Sequence, residues 1–479
     1  MEIYDFKKLQ NGMQQEAKML RDVQPLSAQE VLRRLILQVK KINFAELLLT
    51  QEGKDKPKQK NYVVIIIEEI LRVAETNNWG LCRQHDFVYV YNGQFWQLVL
   101  KEELKRFLGK AAEKLGYSSL ESRYYEFRDK LYKQFLSAAS LPVLQTQKDK
   151  VLINLKNGTV EITAYGMQIR DFDQADFMTY QLPFAYKQSA SCPIFMRFID
   201  EVLPDPSLQT ILAEFFAYIF TKHLKLEKCL LLYGTGANGK SVFFEIINSL
   251  IGQGNISNLS LGNLKEEHNR ALIKNKLLNY GSEIRGNIEA DIFKQLVSGE
   301  PIQARLKYGN TFIMRDYAKL AFNCNTLPRD VEQTNAYFRR FIIVPFEVTI
   351  PEERQDPLLA QKIIDKELSG VFNWILLGLS RLLSQNAFTQ CDRIRQEIEN
   401  YKKESDSVWT FLDDNNYVKS VIQKQYLKDL YRMYRAACLE NGCRSVSIQN
   451  FSKRIQNRGF EVIKEKLGRE VFLEKNEKK

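Results

Sequence analysis

The segment Gly234-Thr235-Gly236-Ala237-Asn238-Gly239-Lys240-Ser241 sets glycines, a lysine and a hydroxyl in the pattern GxxxxGK[ST]. These residue types suit one kind of chemistry. Glycines let backbone N–H groups converge on phosphate oxygens, a lysine reaches the β- and γ-phosphates of a triphosphate, and a serine hydroxyl ligates Mg²⁺. The flanks fit the same task. "KCLLLY" reads as a buried strand, and "KSVFFEIINSLIG" puts Val242, Phe243, Ile246, Ile247 and Leu250 on one helical face with Gly252 as a stop. Strand, loop and helix in this order aim the positive end of the helix at the bound anion.

Such a loop needs further groups. A carboxylate on a neighbouring strand would polarise water and hold the metal shell. "NKLLNYGSEIRG" offers Glu283 after an apolar run, although a charged residue can end any strand. "RDYAKLAFNCNTLPRD" reads as another strand ending at Asn325, an amide able to sense a phosphate or simply to make a turn. "NAYFRRFIIVPF" places Arg339 and Arg340 just before a strand-like run. One of them could reach a nucleotide held by a neighbouring subunit, or both could be solvated.

The four pieces "GTGANGKS", "LLNYGSEI", "FKQLVSGEPIQARLKYGNTF" and "AFNCNTLP" with "FRRFIIVPF", in that order, resemble the superfamily 3 helicases. The branch is that of phage- and plasmid-encoded primase–helicases, related to the poxvirus nucleoside triphosphatase. The likeness reaches upstream through "LINLKNGTVEI", "YQLPFAYKQSASCPIFMRFIDEV" and "LAEFFAYIF" and covers about residues 75–350. It implies an α/β fold with a P-loop AAA+ ATPase core, and ATP with Mg²⁺ as cofactors. Lys240 and Ser241 would hold the triphosphate and metal, Glu283 would be the catalytic carboxylate, Asn325 the sensor and Arg340 the arginine finger. Ala304–Phe312 would form a hairpin in the central channel of a homo-oligomeric, hexameric ring, with Lys307 and Tyr308 near its tip on DNA. The physical reading of that tip agrees, since a lysine binds phosphate, an aromatic ring stacks on a base, and "YGN" is turn chemistry. Two departures stand out. Ser282 occupies a place where a second acidic residue often sits, and "FAYIFTKHL" is poorer in glycine than the usual turn. No polymerase-type carboxylate motif is evident before residue 190, so a primase would be a separate partner.

The C-terminal segment from Tyr401 is basic. "KQYLKDLYRMYRAACLENG" and "SIQNFSKRIQNRGF" read as helices and "EVIKEKLGREVFLEK" as a hairpin turning at Gly468. Helix, helix, hairpin resembles a winged helix, in which Lys453, Arg454 and Arg458 would face DNA. The same elements could instead pack on the ring or on a partner protein. "CDRIRQEIENYKKESDSVWTFL" reads as the charged helix leading into this unit.

The rest of the chain must position these groups. Its 479 residues suit several domains: a helical arm and linker at 1–60, an α+β domain at 61–200, the ATPase at 201–385, and a connecting helix with the winged-helix-like domain at 386–479. Within 61–200, "DFVYVYNGQFWQLV" and "VLINLKNGTVEI" read as hairpins and "KEELKRFLGKAAEKLG" as an amphipathic helix. The formal charge of +11 suggests a polyanionic partner, nucleic acid first. No apolar run is long enough to span a membrane, "VVIII" at Val63–Ile67 being followed by Glu68 and Glu69, so a cytoplasmic location is expected. Seven scattered cysteines without a CxxC pair, and three histidines far apart, argue against a zinc site. The expectation is an ATP-dependent DNA helicase acting in replication of a phage, plasmid or integrated element, on single-stranded and forked or origin duplex DNA. The alternatives are a DNA-binding ATPase switch that assembles without unwinding, a degenerate structural relative, and a motor on RNA.

Overall fold

The computed structural model describes residues 25–49, 58–77, 80–84, 87–139, 150–163, 165–282, 284, 289–307, 309–328, 331–443, 445–466 and 468–476. The first unit gathers the helices Ala28–Gln38, Gln59–Thr76, Lys101–Leu115 and Tyr125–Ala138 around one face of a sheet β1 (Leu81–Gln84), β2 (Phe87–Tyr91) and β3 (Trp96–Val99). The Asn-Gly turn closes β2 on β3 with Tyr91 opposite Trp96, as the alternation predicts. Within the helical arm expected at 1–60, Val31, Leu32 and Leu35 are buried in the same core as Ile66, Leu108 and Phe135. The expected linker is also shorter, because Gln59 already begins a helix. That helix contains the β-branched run at 63–67, and Ile66, Ile67 and Ile70 are fully buried. Burial of its apolar stripe outweighs the weak helix propensity of valine and isoleucine.

The second hairpin also forms. β4 (Lys150–Leu155) pairs with β5 (Gly158–Thr163), which continues to β6 (Gly166–Arg170). Then come the helices Pro193–Val202 and Pro206–Tyr218, which pack beside the central sheet. That sheet is built from β7 (Cys229–Tyr233), β8 (Ile256–Ser257), β9 (Leu278–Gly281), β12 (Lys319–Cys324) and β13 (Phe341–Pro345). Between β9 and β12 lies a separate hairpin, β10 (Ile302–Arg305) with β11 (Thr311–Met314). The five strands run in the order β13-β7-β12-β9-β8, and every neighbouring pair is parallel. A parallel sheet must be covered on both faces. Leu230 and Leu232 enter the core formed with the helices Lys240–Ile251 and Leu359–Gln385, while Cys229 and Leu231 enter the core on the opposite face.

Two buried carboxylates fasten the long helix Leu359–Gln385 to that first core. Glu367 accepts from the backbone N–H groups of Ile194 and Phe195, at 3.0 and 2.9 Å, and so caps the helix Pro193–Val202 from another element. Glu214 accepts from Thr389 N and Oγ1, at 2.9 and 2.6 Å, and pairs with Arg381. Such groups are costly to bury unless paired, so they fix the register of the helices.

The segment 391–412, expected as one charged helix, is divided between two. Asp392–Glu404 ends at Ser405, and Asp406 caps Ser407–Asp414 by accepting from Val408 N at 3.1 Å. The last unit then runs strand, helix, helix, strand, strand: β14 (Tyr417–Tyr426), Leu427–Glu440, Ile448–Asn457, β15 (Val462–Glu465) and β16 (Gly468–Lys475). The hairpin turning at Gly468 is present, but β16 lies between β15 and β14, a strand absent from the sequence reading. A register shift between Lys419 and Lys424 breaks the alternation that would have revealed it.

The tight contact of Gly378 gives a test of this packing. A Cβ there would lie 2.5 Å from the Ala213 carbonyl carbon. Gly378→Val should therefore destabilise the protein by about 1–3 kcal/mol or more, read as a lower urea midpoint at unchanged slope. A midpoint equal to wild type would mean that the two helices do not hold each other at this distance.

Candidate functional site

Because the central strands are parallel, their carboxyl ends share one edge, and the crevice outside such an edge is where ligands bind in open α/β sheets. Four ends meet there. β7 runs into Gly234, β12 into Asn325, β9 into Ser282, and β13 into Phe346. The turn after β7 is tied on both sides. Gly234 N donates to Cys324 O at 3.1 Å, Phe346 N to Tyr233 O at 2.6 Å, and Ile350 N to Ala237 O at 2.8 Å.

The loop has no room for larger residues at two places. A Cβ on Gly234 would lie 2.3 Å from both Asn238 Nδ2 and Phe346 O, and Gly239, at φ +83°, faces Phe198 and Val202. Between them Asn238 is buried and bridges. Its Nδ2 donates to Phe346 O at 2.9 Å, and its Oδ1 accepts from Lys240 Nζ at 2.9 Å. Lys240 Nζ also donates to Gly234 O at 2.7 Å. The lysine is buried, and desolvation pulls its ammonium below the ordinary lysine value. It is thus a cation held by two neutral oxygens, with no carboxylate among these partners. An incoming phosphate would be a far better partner for it than a carbonyl and an amide. The helix Lys240–Ile251 begins here, its first bond running from Phe243 N to Gly239 O. The N–H groups of Lys240, Ser241 and Val242 precede that ladder and point outward at the helix start. Thr235, Ala237 and Ser241 are exposed, and Gly236 is half-buried.

The other predicted residues divide. Asn325 is exposed at the end of β12, next to the loop strand. Asn323, two residues earlier, is buried and accepts from Tyr280 OH at 2.9 Å, linking β12 to β9 beneath the edge. Glu283 lies outside the described residues, and Ser282, exposed, is its neighbour on β9's end. Among the described residues no group of three or more His, Cys, Asp or Glu side chains could hold a metal ion. Cys324 closes β12 directly before Asn325, and burial pushes its thiol up to about 12, away from reactivity.

Both arginines precede β13, whose first residue pairs with Cys229 at the start of β7. They sit at the amino edge, a strand length of about 15 Å from the loop. Arg340 is buried. It donates to Ser298 Oγ at 3.0 Å and to Ala336 O, and pairs with Glu227 at 3.2 Å. These contacts all lie within the one chain, so the group expected to reach a neighbouring nucleotide is an internal tie in this structure. Arg339 is 62% exposed and pairs with the same Glu227 at 2.9 Å. Exposure separates the two arginines, and neighbouring positions in the sequence carry no sign of it.

The hairpin β10–β11 forms with Ala304 opposite Phe312. Ala304 and Phe312 turn inward, and Phe312 meets Phe87 of β2 edge-on at 5.1 Å. Leu306 and Lys307 are exposed at its tip, and Tyr308 lies outside the described residues. In the C-terminal unit Lys453 is exposed. Arg454 and Arg458 are not available as expected. They pair with the buried Asp406 carboxylate at 2.9 and 3.1 Å, and the Arg458 guanidinium stacks 3.3 Å from the Trp409 ring centre. These contacts hold the helix Ile448–Asn457 to Ser407–Asp414. The only sequence sign was the Asp406 cap itself.

No helix of the described residues is long and apolar enough to cross a membrane. Residues 69–204 match a family model described as "D5 N terminal like", and residues 232–340 match a family of unknown function, DUF5906. The second match begins inside β7 and ends at Arg340, so it encloses the phosphate-loop motif and most of the central sheet. Among solved structures, the chain is similar to the C-terminal region of NrS-1 in its A-form apo structure, at 12% identity with a TM-score of 0.46, covering 84% of this chain and 98% of that one. Another A-form apo structure of that region gives 12% identity and a TM-score of 0.48, covering 87% of this chain and 100% of that one.

Proposed function

We propose that the chain is an ATP-driven DNA motor of replication, a superfamily 3-type helicase that works as a ring. The observation that carries this reading is the buried Lys240, held among the described residues by Gly234 O and Asn238 Oδ1 in a loop too tight for any Cβ at position 234. Such a cradle fits a triphosphate with Mg²⁺. Gly234 through Ser241 would hold the phosphates, and the Ser241 hydroxyl and Glu283 would complete the metal shell, which supplies charge neutralisation to the γ-phosphate. Glu283 would take the proton of the attacking water as the bond between the γ-phosphorus and its bridging oxygen breaks, releasing ADP and phosphate. Asn325 would orient that water. The strand order supports the same reading: β7, which leads into the loop, lies between β13 and β12 in the parallel order β13-β7-β12-β9-β8. The C-terminal unit, with Ser407–Asp414 as first helix, has the element order of a winged helix.

Arg339, not Arg340, would complete a neighbour's site. Its place on the opposite edge of the sheet sets it far from its own loop, and release from Glu227 would let it reach across an interface. Hydrolysis would then move the β10–β11 hairpins along a DNA strand through a central channel, with Lys307 at each tip and Tyr308 as its expected partner on the strand. Phe312 against Phe87 would anchor each hairpin base on the N-terminal unit.

Two experiments test this. ATP turnover should rise with single-stranded DNA and fall at least 100-fold in Lys240→Ala and in Glu283→Gln. Turnover in Lys240→Ala equal to wild type would reject the site, and turnover indifferent to DNA would favour an assembly switch over a motor. Arg339→Ala should also be inactive, yet mixing it with Lys240→Ala should restore part of the turnover, because one variant keeps a working loop and the other a working arginine. Absence of any recovery on mixing would place the arginine in cis or remove it from catalysis.

A further inference from the structure

We infer that the helix Ile448–Asn457 reads base edges of adenine-containing duplex DNA through an amide face, so that the C-terminal unit selects a sequence and does not merely hold phosphate. The inference rests on the DNA-binding reading above and deepens it. Its starting point is the commitment of Arg454 and Arg458 to Asp406 and Trp409, which takes the helix's two guanidinium groups out of play. The helix leaves Gln449, Asn450, Lys453, Gln456 and Asn457 exposed. At 100° per residue these five positions span about a third of the circumference, and Phe451, Ser452 and Ile455 fill the opposite, buried side.

That composition selects an occupant. Four neutral amides add little to non-specific attraction, which depends on cationic charge. Each amide instead carries a donor and an acceptor side by side, the pattern that pairs bidentately with N6 and N7 of adenine in the major groove. Lys453, among them, suits guanine or a phosphate. Ser447 caps the helix by accepting from Asn450 N at 3.3 Å, which fixes the first turn carrying Gln449 and Asn450. A helix of ten residues is about 15 Å long and matches a groove about 12 Å wide. Non-specific attraction comes from the adjoining hairpin. A turn at Gly459 leads directly into the hairpin of β15 and β16, on which Lys464, Lys466 and Arg469 are exposed. Glu461 and Glu465 belong to the same hairpin and keep its charge modest. An RNA duplex would not fit, because its deep and narrow major groove excludes a helix.

The test is selection by the full-length chain from a randomised duplex pool, followed by anisotropy titrations of the selected and a scrambled duplex across salt concentration. Selection should return a motif containing adenines, preferred over the scrambled duplex by about tenfold or more. Asn450→Ala and Gln456→Ala should each weaken preference at one position by about tenfold. Binding to the scrambled duplex and its salt slope should be unchanged in those variants. Lys464→Ala with Lys466→Ala should do the reverse, weakening both duplexes equally and flattening the salt slope. Salt-dependent binding with no enriched sequence, or a motif unaltered by the amide variants, would overturn the inference and leave the DNA-binding reading standing. No duplex binding even at low salt would overturn both. The substituted amides are exposed, and a melting curve matching wild type separates loss of preference from loss of fold.

Discussion

Everything at the candidate site hangs on the lateral pairing of β7 between β12 and β13. β7 is short and buried on both faces, so its backbone groups have no water to turn to and must be met by neighbours in register. Because both neighbours are parallel to it, their carboxyl ends arrive at the same edge. The glycine loop is then pressed between Cys324 O, Phe346 O and its own Asn238. The requirement for Gly234 follows from that crowding, and so does the burial of Lys240.

The two faces of the sheet divide the work of support. On one face, the helices Pro193–Val202, Pro206–Tyr218 and Leu359–Gln385 lock together through Glu214 and Glu367, and Phe198 and Val202 form the wall against Gly239. On the other, the aromatic side of β2 packs with the hairpin β10–β11 in a single core. β2 is therefore buried on both sides, its valines in the N-terminal helical core and its aromatics against the central domain. An N-terminal unit built this way is a foundation for the hairpin, and the described part of the helical arm expected at 1–60 belongs to it through Val31, Leu32 and Leu35.

Charge is organised by commitment more than by amount. The chain carries a formal excess of +11, yet several of its most suggestive cations are internal ties. Arg340 joins β13 to Ser298 and Glu227, Arg454 and Arg458 hold one helix to another through Asp406, and Arg381 serves Glu214. A planar guanidinium with several donors is well suited to such work, and each of these arginines sits near a carboxylate that is itself wholly or partly buried. Arg339 shares Glu227 with Arg340 but stays largely exposed, and the amides of the helix Ile448–Asn457 stand at the surface.

The sequence by itself determined the local elements with strong periodicity or turn chemistry. The loop and its helix, the Asn-Gly hairpins, the capped helix Ile448–Asn457 and the hairpin at Gly468 all follow from contacts between residues close in the chain, where propensity, capping and spacing act directly. Only the tertiary structure decided which long-range partners each side chain meets. It turned Arg340 inward and Arg339 outward, spent Arg454 and Arg458 on Asp406, made a helix of the β-branched run at 63–67, and found β14 behind a bulge that erases its alternation. Burial and ion pairing between residues far apart in the chain depend on where the chain returns, and no local pattern records that.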